Sequence, residues 1–326
     1  MRTLEPPTAC GAAALLRFSR SAMATEFEIL LPWGTPRAAA LAQSALDRID
    51  QTEALLSIYR AESELSLVNH QAARRSVPVS RELLAFLELA RELSGWSQGA
   101  FDLAAGALVK AWGFFEGPPR VPSTAELAAA RAASGMNLVE LDSTAQTVRF
   151  LHSGVMLNPG SMGKGWALDR AGEQLASGTA AALLHGGRSS ILALGAPPGQ
   201  PEGWRVGLSD PADPTRRLGT LCLRDQAMST SAATFRHGLR HGRRFGHLLD
   251  PRTGLPATGL LAATAFAPTA AVADALATAF FVLGEEETVS LCQARSDLGA
   301  ILIVKDARRL LLLGSARQAG FVPTAS

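Results

Sequence analysis

Tyrosine occurs once in this 326-residue chain and cysteine three times. No apolar run reaches the length needed to span a bilayer as a helix. With 6% aromatics, stacking platforms for nucleic-acid bases are scarce. Cys10, Cys222 and Cys292 lie far apart and form no CxxC pair. Their odd number points to neither a zinc site nor a disulfide framework, so a reducing compartment is the simpler reading. An excess charge of one sign is also missing: 31 Lys and Arg face 29 Asp and Glu, a formal net charge of +2. That balance implies no general attraction to nucleic acid or anionic membrane. What is present is a chain 47% hydrophobic and 18% charged, long enough for one large domain or two intimately packed lobes around a substantial core.

At the N-terminus, Ala12–Leu16 is apolar but short, and Arg17 and Arg20 interrupt it. A secretory signal needs a longer apolar core and a small-residue cleavage site. Residues 1–20 are therefore expected to be a poorly ordered leader or a first strand, with residues 21–326 forming a single domain. A cytoplasmic location is expected, with export or membrane association left open.

Periodicity predicts a strand at Phe27–Leu31 and amphipathic helices at Ala38–Leu56 and Arg81–Leu93, the latter capped by Ser80. A further helix is expected within Phe101–Trp112. Ser123 and Glu126 fit a capping box. Beyond Val148, strands and helices alternate: strands at 148–151, 181–185, 191–194, 204–208 and 218–223, helices at Gly163–Leu175 and Ala273–Leu283, and a closing hairpin at 300–313. The mixture predicts an α+β (mixed α/β) fold.

Four polar clusters and one helix carry candidate chemistry. Leu157–Gly165 (LNPGSMGKG) leads into a helix, so its backbone N–H groups and Lys164 suit an anion. It is neither a Walker A loop nor a G-x-G-x-x-G fingerprint, and a plain strand-to-helix turn is the competing reading. Met228-Ser229-Thr230-Ser231 offers three hydroxyls, able to cap a helix or to hold phosphate oxygens. In Phe245–Pro256, His247 precedes a strong Asp250-Pro251 to Gly254 turn and suits proton transfer. Tyr59, in Ser57–Arg60, serves either core packing or stacking on a planar ligand. On the helix at 273–283, Asp274 and Thr278 stand four residues apart and share a face amid Ala, Leu, Val and Phe. Two oxygen ligands on an apolar face suit a hard cation such as Mg²⁺. The alternative is a helix N-terminal Asp favoured by the dipole, with a back-bonding Thr.

Taken in order, these stretches resemble the ApbE-like family, the FAD:protein FMN transferases. The likeness runs from Met23-Ala24-Thr25 to about Leu283. It is carried by LSIYRAESELSLVN (56–69), GAFDLAAGALVKAWGF (99–114), LNPGSMGKGWALDR (157–170), GHLLDPRTGLP (246–256) and ADALATAFFVLG (273–284). The resemblance implies a T-fold-related architecture of mixed or antiparallel sheets flanked by helices. It implies a Mg²⁺-dependent enzyme that splits FAD, passes FMN to a Thr or Ser hydroxyl of an acceptor protein and releases AMP. By motif, Met23, Tyr59, Ala100, Phe101, Asp102, Asn158, Lys164 and Leu249 match flavin-binding positions. Ser161, Asp274 and Thr278 match metal-binding positions, and His247 matches the proposed catalytic base. The chain departs from many members at Asn158 and Arg188, where they carry Asp, and at Ala232, where they carry Gly. Ala277 stands where some members have a second carboxylate, so the helix supplies two side-chain oxygens. The same site would serve an FAD pyrophosphatase, in which water replaces the acceptor, and a third reading is an FAD-binding protein without turnover.

Overall fold

The computed structural model describes residues 14–115, 117–213, 215–232, 237–240, 243–305 and 309–324, with backbone alone for 237–240 and 243–245. The chain opens with β1 (Leu15–Ala22), β2 (Thr25–Pro32), α1 (Ala38–Leu56), α2 (Glu64–Gln71), β3 (Val77–Pro78) and α3 (Arg81–Trp96). There follow α4 (Gly106–Ala111), α5 (Thr124–Ala132), β4 (Val139–Asp142), β5 (Thr147–Phe150) and α6 (Gly163–Ala176). Next come β6 (Ala182–Gly186), β7 (Ser190–Leu194), β8 (Trp204–Ser209), β9 (Arg217–Leu223) and β10 (Gln226–Ala232). The short strands β11 (His237–Arg240), β12 (Arg243–Gly246), β13 (Leu249–Asp250) and β14 (Leu255–Pro256) precede β15 (Leu260–Ala267) and α7 (Ala270–Ala294). The last strands are β16 (Gly299–Val304), β17 (Leu310–Gly314) and β18 (Val322–Pro323).

The centre is an eight-stranded sheet in the order β1-β2-β6-β7-β10-β15-β16-β17. Every neighbouring pair in it is antiparallel. Successive side chains of a strand point to opposite faces, and here both faces are covered. Leu184, Leu192, Ala227, Ala265 and Leu302 belong to the core shared with α1, α6 and α7. Their neighbours Leu183, Ile191, Met228, Phe266 and Ile301 join Trp204, Val206, Leu221 and Leu223 from the β8-β9-β18 sheet on the other side. Burial on both faces is why these strands read as apolar runs rather than alternating patterns. Among the described residues, no helix is long and apolar enough to cross a membrane.

The local signals act as expected at several ends. Ser80 Oγ accepts from the Leu83 N–H, and Ser123 with Glu126 forms a capping box at α5. Four expectations change. Residues 15–20 belong to β1, so the leader alternative applies at most to residues before Leu15, and residues 1–13 lie outside the described residues. The helix expected within Phe101–Trp112 shortens to Gly106–Ala111, because residues 101–105 form a turn held by side-chain and backbone bonds. Met228–Ser231 caps no helix; it lies inside β10. The helix expected from Ala273 begins at Ala270, behind the N-cap Thr269, and breaks at Gly284, whose φ of 74° and ψ of −162° are non-helical, before a second helical stretch runs on to Ala294. Asp274 thus sits in the second turn rather than at the helix N-terminus.

Candidate functional site

The sheet gathers several turns at one end: the β1–β2 turn, the β6–β7 turn, the end of β10 and the N-terminus of α6. The apolar α7 lies across β7, β10 and β15. From Ala270 to Phe281 every residue but Thr278 is buried, which places Asp274, 5% exposed, against the sheet rather than in solvent. A buried carboxylate is costly unless its oxygens are satisfied, and here they are. Ser190 Oγ and Ser229 Oγ donate to Asp274 Oδ1 at 3.0 and 2.9 Å. The Gly165 N–H donates to Oδ2 at 3.2 Å. Lys164 Nζ lies 3.4 Å from Oδ1 and 3.3 Å from Oδ2, spanning both. One turn further along α7, Thr278 Oγ1 meets Ser231 Oγ at 3.2 Å. The four-residue spacing therefore does put both oxygens on one face, and that face meets a row of hydroxyls from β7 and β10.

Two contacts fix α6 against α7 and so position Asp274. The carboxylate of Asp169 accepts from the first two N–H groups of α7, Ala270 at 2.7 Å and Ala271 at 2.8 Å. Burial pushes this carboxyl up to about 6, against the downward pull of those two bonds. A raised native pKa means that the folded state holds more protons than the unfolded one between the two values. The contribution is present below about pH 4 and is lost as pH rises through about 6. Urea titrations across pH 4–7 should therefore show the stability difference moving in favour of Asp169→Asn as pH rises. The second contact is the approach at Gly165, where a Cβ would stand 2.1 Å from the Ala270 carbonyl oxygen. Backbone cannot yield as a flexible side chain can. Gly165→Ala is expected to cost about 3 kcal/mol, read as a lowered urea midpoint, because such overpacking forces the two helices apart.

The loop before α6 is pinned from α2. Asn69 Nδ2 donates to the Leu157 carbonyl at 3.0 Å, and Asn69 Oδ1 accepts from the Leu157 N–H at 2.8 Å. Asn158 Oδ1 accepts from the Gly160 N–H at 3.0 Å and so shapes the Pro159–Ser161 turn. An Asp at this position would offer the same acceptor, so the departure keeps the turn. Ser161 ends that turn, which packs on both α6 and α7. The departures at Arg188 and Ala232 separate: Arg188 is exposed on the β6–β7 turn, and Ala232 is buried in a small cluster with Ala262 and Ile303.

The remaining sequence candidates divide by where their side chains go. Ala100 and Phe101 are buried, Phe101 within the main core. Asp102 is turned inward: its carboxylate accepts from Ser94 Oγ and from the N–H groups of Ala104 and Met136, and burial raises its pKa. Leu249 packs under α4 with Leu108 and Trp112, and Trp112 Nε1 donates to the Gly254 carbonyl at 2.9 Å. Asp250 pairs with Arg252, which also reaches Glu287 of α7 at 3.1 Å. His247 enters this braced hairpin with its ring edge-on to Phe114, centroids 6.2 Å apart. Tyr59 is 77% exposed, which rules out the core-packing role, and stacks on Phe115 at 5.4 Å. Met23 and Ala24 form the two-residue β1–β2 turn with φ of 50° and 57°. Positive φ at two non-glycine residues stores strain, a feature that concentrates at ligand-handling turns.

The ApbE family model matches residues 23–302. The chain belongs to the ApbE family. Among ApbE relatives, the FAD:protein FMN transferase of Klebsiella pneumoniae is 32% identical over 286 residues, 87% of this chain and 88% of the relative. The FAD:protein FMN transferase of Treponema pallidum is 32% identical over 318 residues, 92% of this chain and 88% of the relative. The solved structure of the flavin transferase ApbE from Vibrio cholerae superposes with a TM-score of 0.82 at 26% identity, covering 94% of this chain and all of that one. The ApbE reading accounts for the order of the five motifs. The hydroxyl of Ser190 and the clamps of Asn69 and Asp169 carried no assigned role in the sequence. Ser190 opens an otherwise apolar strand, where a lone polar residue was the available signal, and Asn69 closes the run LSLVN.

Proposed function

We propose that this chain transfers FMN from FAD to a Thr or Ser hydroxyl of an acceptor protein and releases AMP. The observation that carries the reading is the convergence of Asp274, Lys164, the α6 N-terminus and the hydroxyls of β7 and β10 at one end of the sheet. In the transfer, the acceptor oxygen loses its proton and bonds to the phosphorus of the FMN half, the bond from that phosphorus to the bridging oxygen breaks, and AMP leaves carrying the bridging oxygen. Such chemistry rests on positioning and charge neutralisation rather than on a covalent enzyme intermediate.

The donor set fits a hard divalent cation. Asp274 offers a carboxylate, Thr278 and the neighbouring serines offer hydroxyls, and the ammonium already at Asp274 marks the place as one that accepts positive charge. Asp274 and Thr278, with oxygen from the Ser161 turn, would hold Mg²⁺. Bound there, it would polarise the pyrophosphate and offset charge on the departing AMP. Lys164 and the N–H groups at the start of α6 bind phosphate oxygens. Tyr59 with Phe115 offers an exposed aromatic face to the flavin rings. His247 takes the acceptor hydroxyl's proton.

The test is chromatography of nucleotides after incubation with FAD, Mg²⁺ and an acceptor protein. AMP is expected to appear while an equal amount of flavin moves into the protein fraction. AMP with free FMN would instead identify hydrolysis, and FAD left intact would sink the enzymatic reading.

A further inference from the structure

Lys164 is placed against its local environment. It occupies the second position of the fourteen-residue helix α6, where the positive end of the helix dipole favours anions and disfavours a cation. Such a conflict needs a compensating partner. The partner is Asp274, whose two oxygens the ammonium spans at 3.4 and 3.3 Å. The same carboxylate receives the Gly165 N–H and two serine hydroxyls, so its acceptor capacity is already engaged. Among the described residues, no group of three His, Cys, Asp or Glu side chains is arranged to hold a metal.

We infer that Lys164 is an internal counter-cation that closes Asp274 to a divalent cation until the FAD pyrophosphate draws the ammonium away. The inference rests on the assignment of Asp274 as the metal ligand. Its basis is charge balance. Asp274 and Lys164 together are neutral. A divalent cation added alone leaves the cluster with two uncompensated positive charges, and a pyrophosphate added alone leaves two negative ones. Adding both restores neutrality, and in a poorly hydrated site that difference is large. Lys164 is long and its side chain 24% exposed, so it can leave Asp274 for a phosphate without repacking the core. Metal and FAD then promote each other's binding, a coupling that is reciprocal by linkage.

The experiment is a Mn²⁺ titration of FAD-free protein followed by electron paramagnetic resonance. Lys164→Gln is expected to bind Mn²⁺ roughly tenfold more tightly than the wild type, since the competing charge is gone. Lys164→Arg is expected to stay as weak as the wild type. Adding Asp274→Asn to Lys164→Gln is expected to abolish the gain. If Lys164→Gln requires metal to fold, recovery of the native circular dichroism on adding Mn²⁺ reads the same coupling, and failure to recover overturns it. Affinity unchanged or weakened in Lys164→Gln overturns the counter-cation role alone, provided Asp274→Asn still removes FAD-dependent Mn²⁺ binding. Tight Mn²⁺ binding that survives Asp274→Asn overturns the metal assignment with it.

Discussion

Asp274→Asn is expected to lower FMN transfer by roughly a thousandfold or more while leaving a folded protein. The side chain keeps its shape, so Ser190 and Ser229 can still donate to the remaining carbonyl oxygen. The amide that replaces Oδ2 faces the Gly165 N–H and the Lys164 ammonium, which are both donors. That mismatch should cost about 2 kcal/mol of stability, less than a fully enclosed broken pair because Lys164 can turn to solvent. The two readouts separate cleanly: a modest drop in urea midpoint accompanies a near-complete loss of turnover. Full activity in Asp274→Asn would show that the carboxylate binds no essential cation.

His247→Gln is expected to reduce the transfer rate by about a hundredfold to ten-thousandfold, the range for loss of a positioned general base. The residue is not held by packing in the main core. It stands at the mouth of a hairpin braced by Trp112 on Gly254, by Asp250 with Arg252, and by Arg252 on Glu287. The edge-on Phe114 ring restricts how the imidazole can turn. Because the substitution leaves Asp274, Lys164 and the α6 loop untouched, FAD binding measured by flavin fluorescence should change little. A variant that lost FAD affinity and kept its rate at saturation would place His247 in binding rather than in proton transfer.

Much of the frame is legible in the sequence where a local physical signal is strong. The α1 pattern, the Ser80 cap and the Ser123–Glu126 box each mark an end that the structure keeps. The weak points are where tertiary contacts override local pattern. The run Met228–Ser231 offers three consecutive hydroxyls, yet successive members pair in different directions: Ser229 with Asp274, Thr230 with Thr264. Such pairing is invisible until β15 and α7 are placed on either side. Asp274 itself was ambiguous as a helix residue. The fold surrounds it with Ser190 from 84 positions away and Lys164 from 110, partners that no local pattern announces. Asp102 shows the converse. Its match to a flavin-binding position is a motif signal, whereas the three internal hydrogen bonds by which it also braces the loop come from residues that only the fold brings to it.

The central claim is a transfer to protein, and intact-mass measurement of the acceptor tests it most directly. After incubation with this chain, FAD and Mg²⁺, an acceptor bearing a suitable Thr or Ser should gain the mass of one FMN. Replacing that hydroxyl residue with Ala should remove the gain. An acceptor of unchanged mass in the presence of fully consumed FAD would contradict the account and leave a hydrolase in its place.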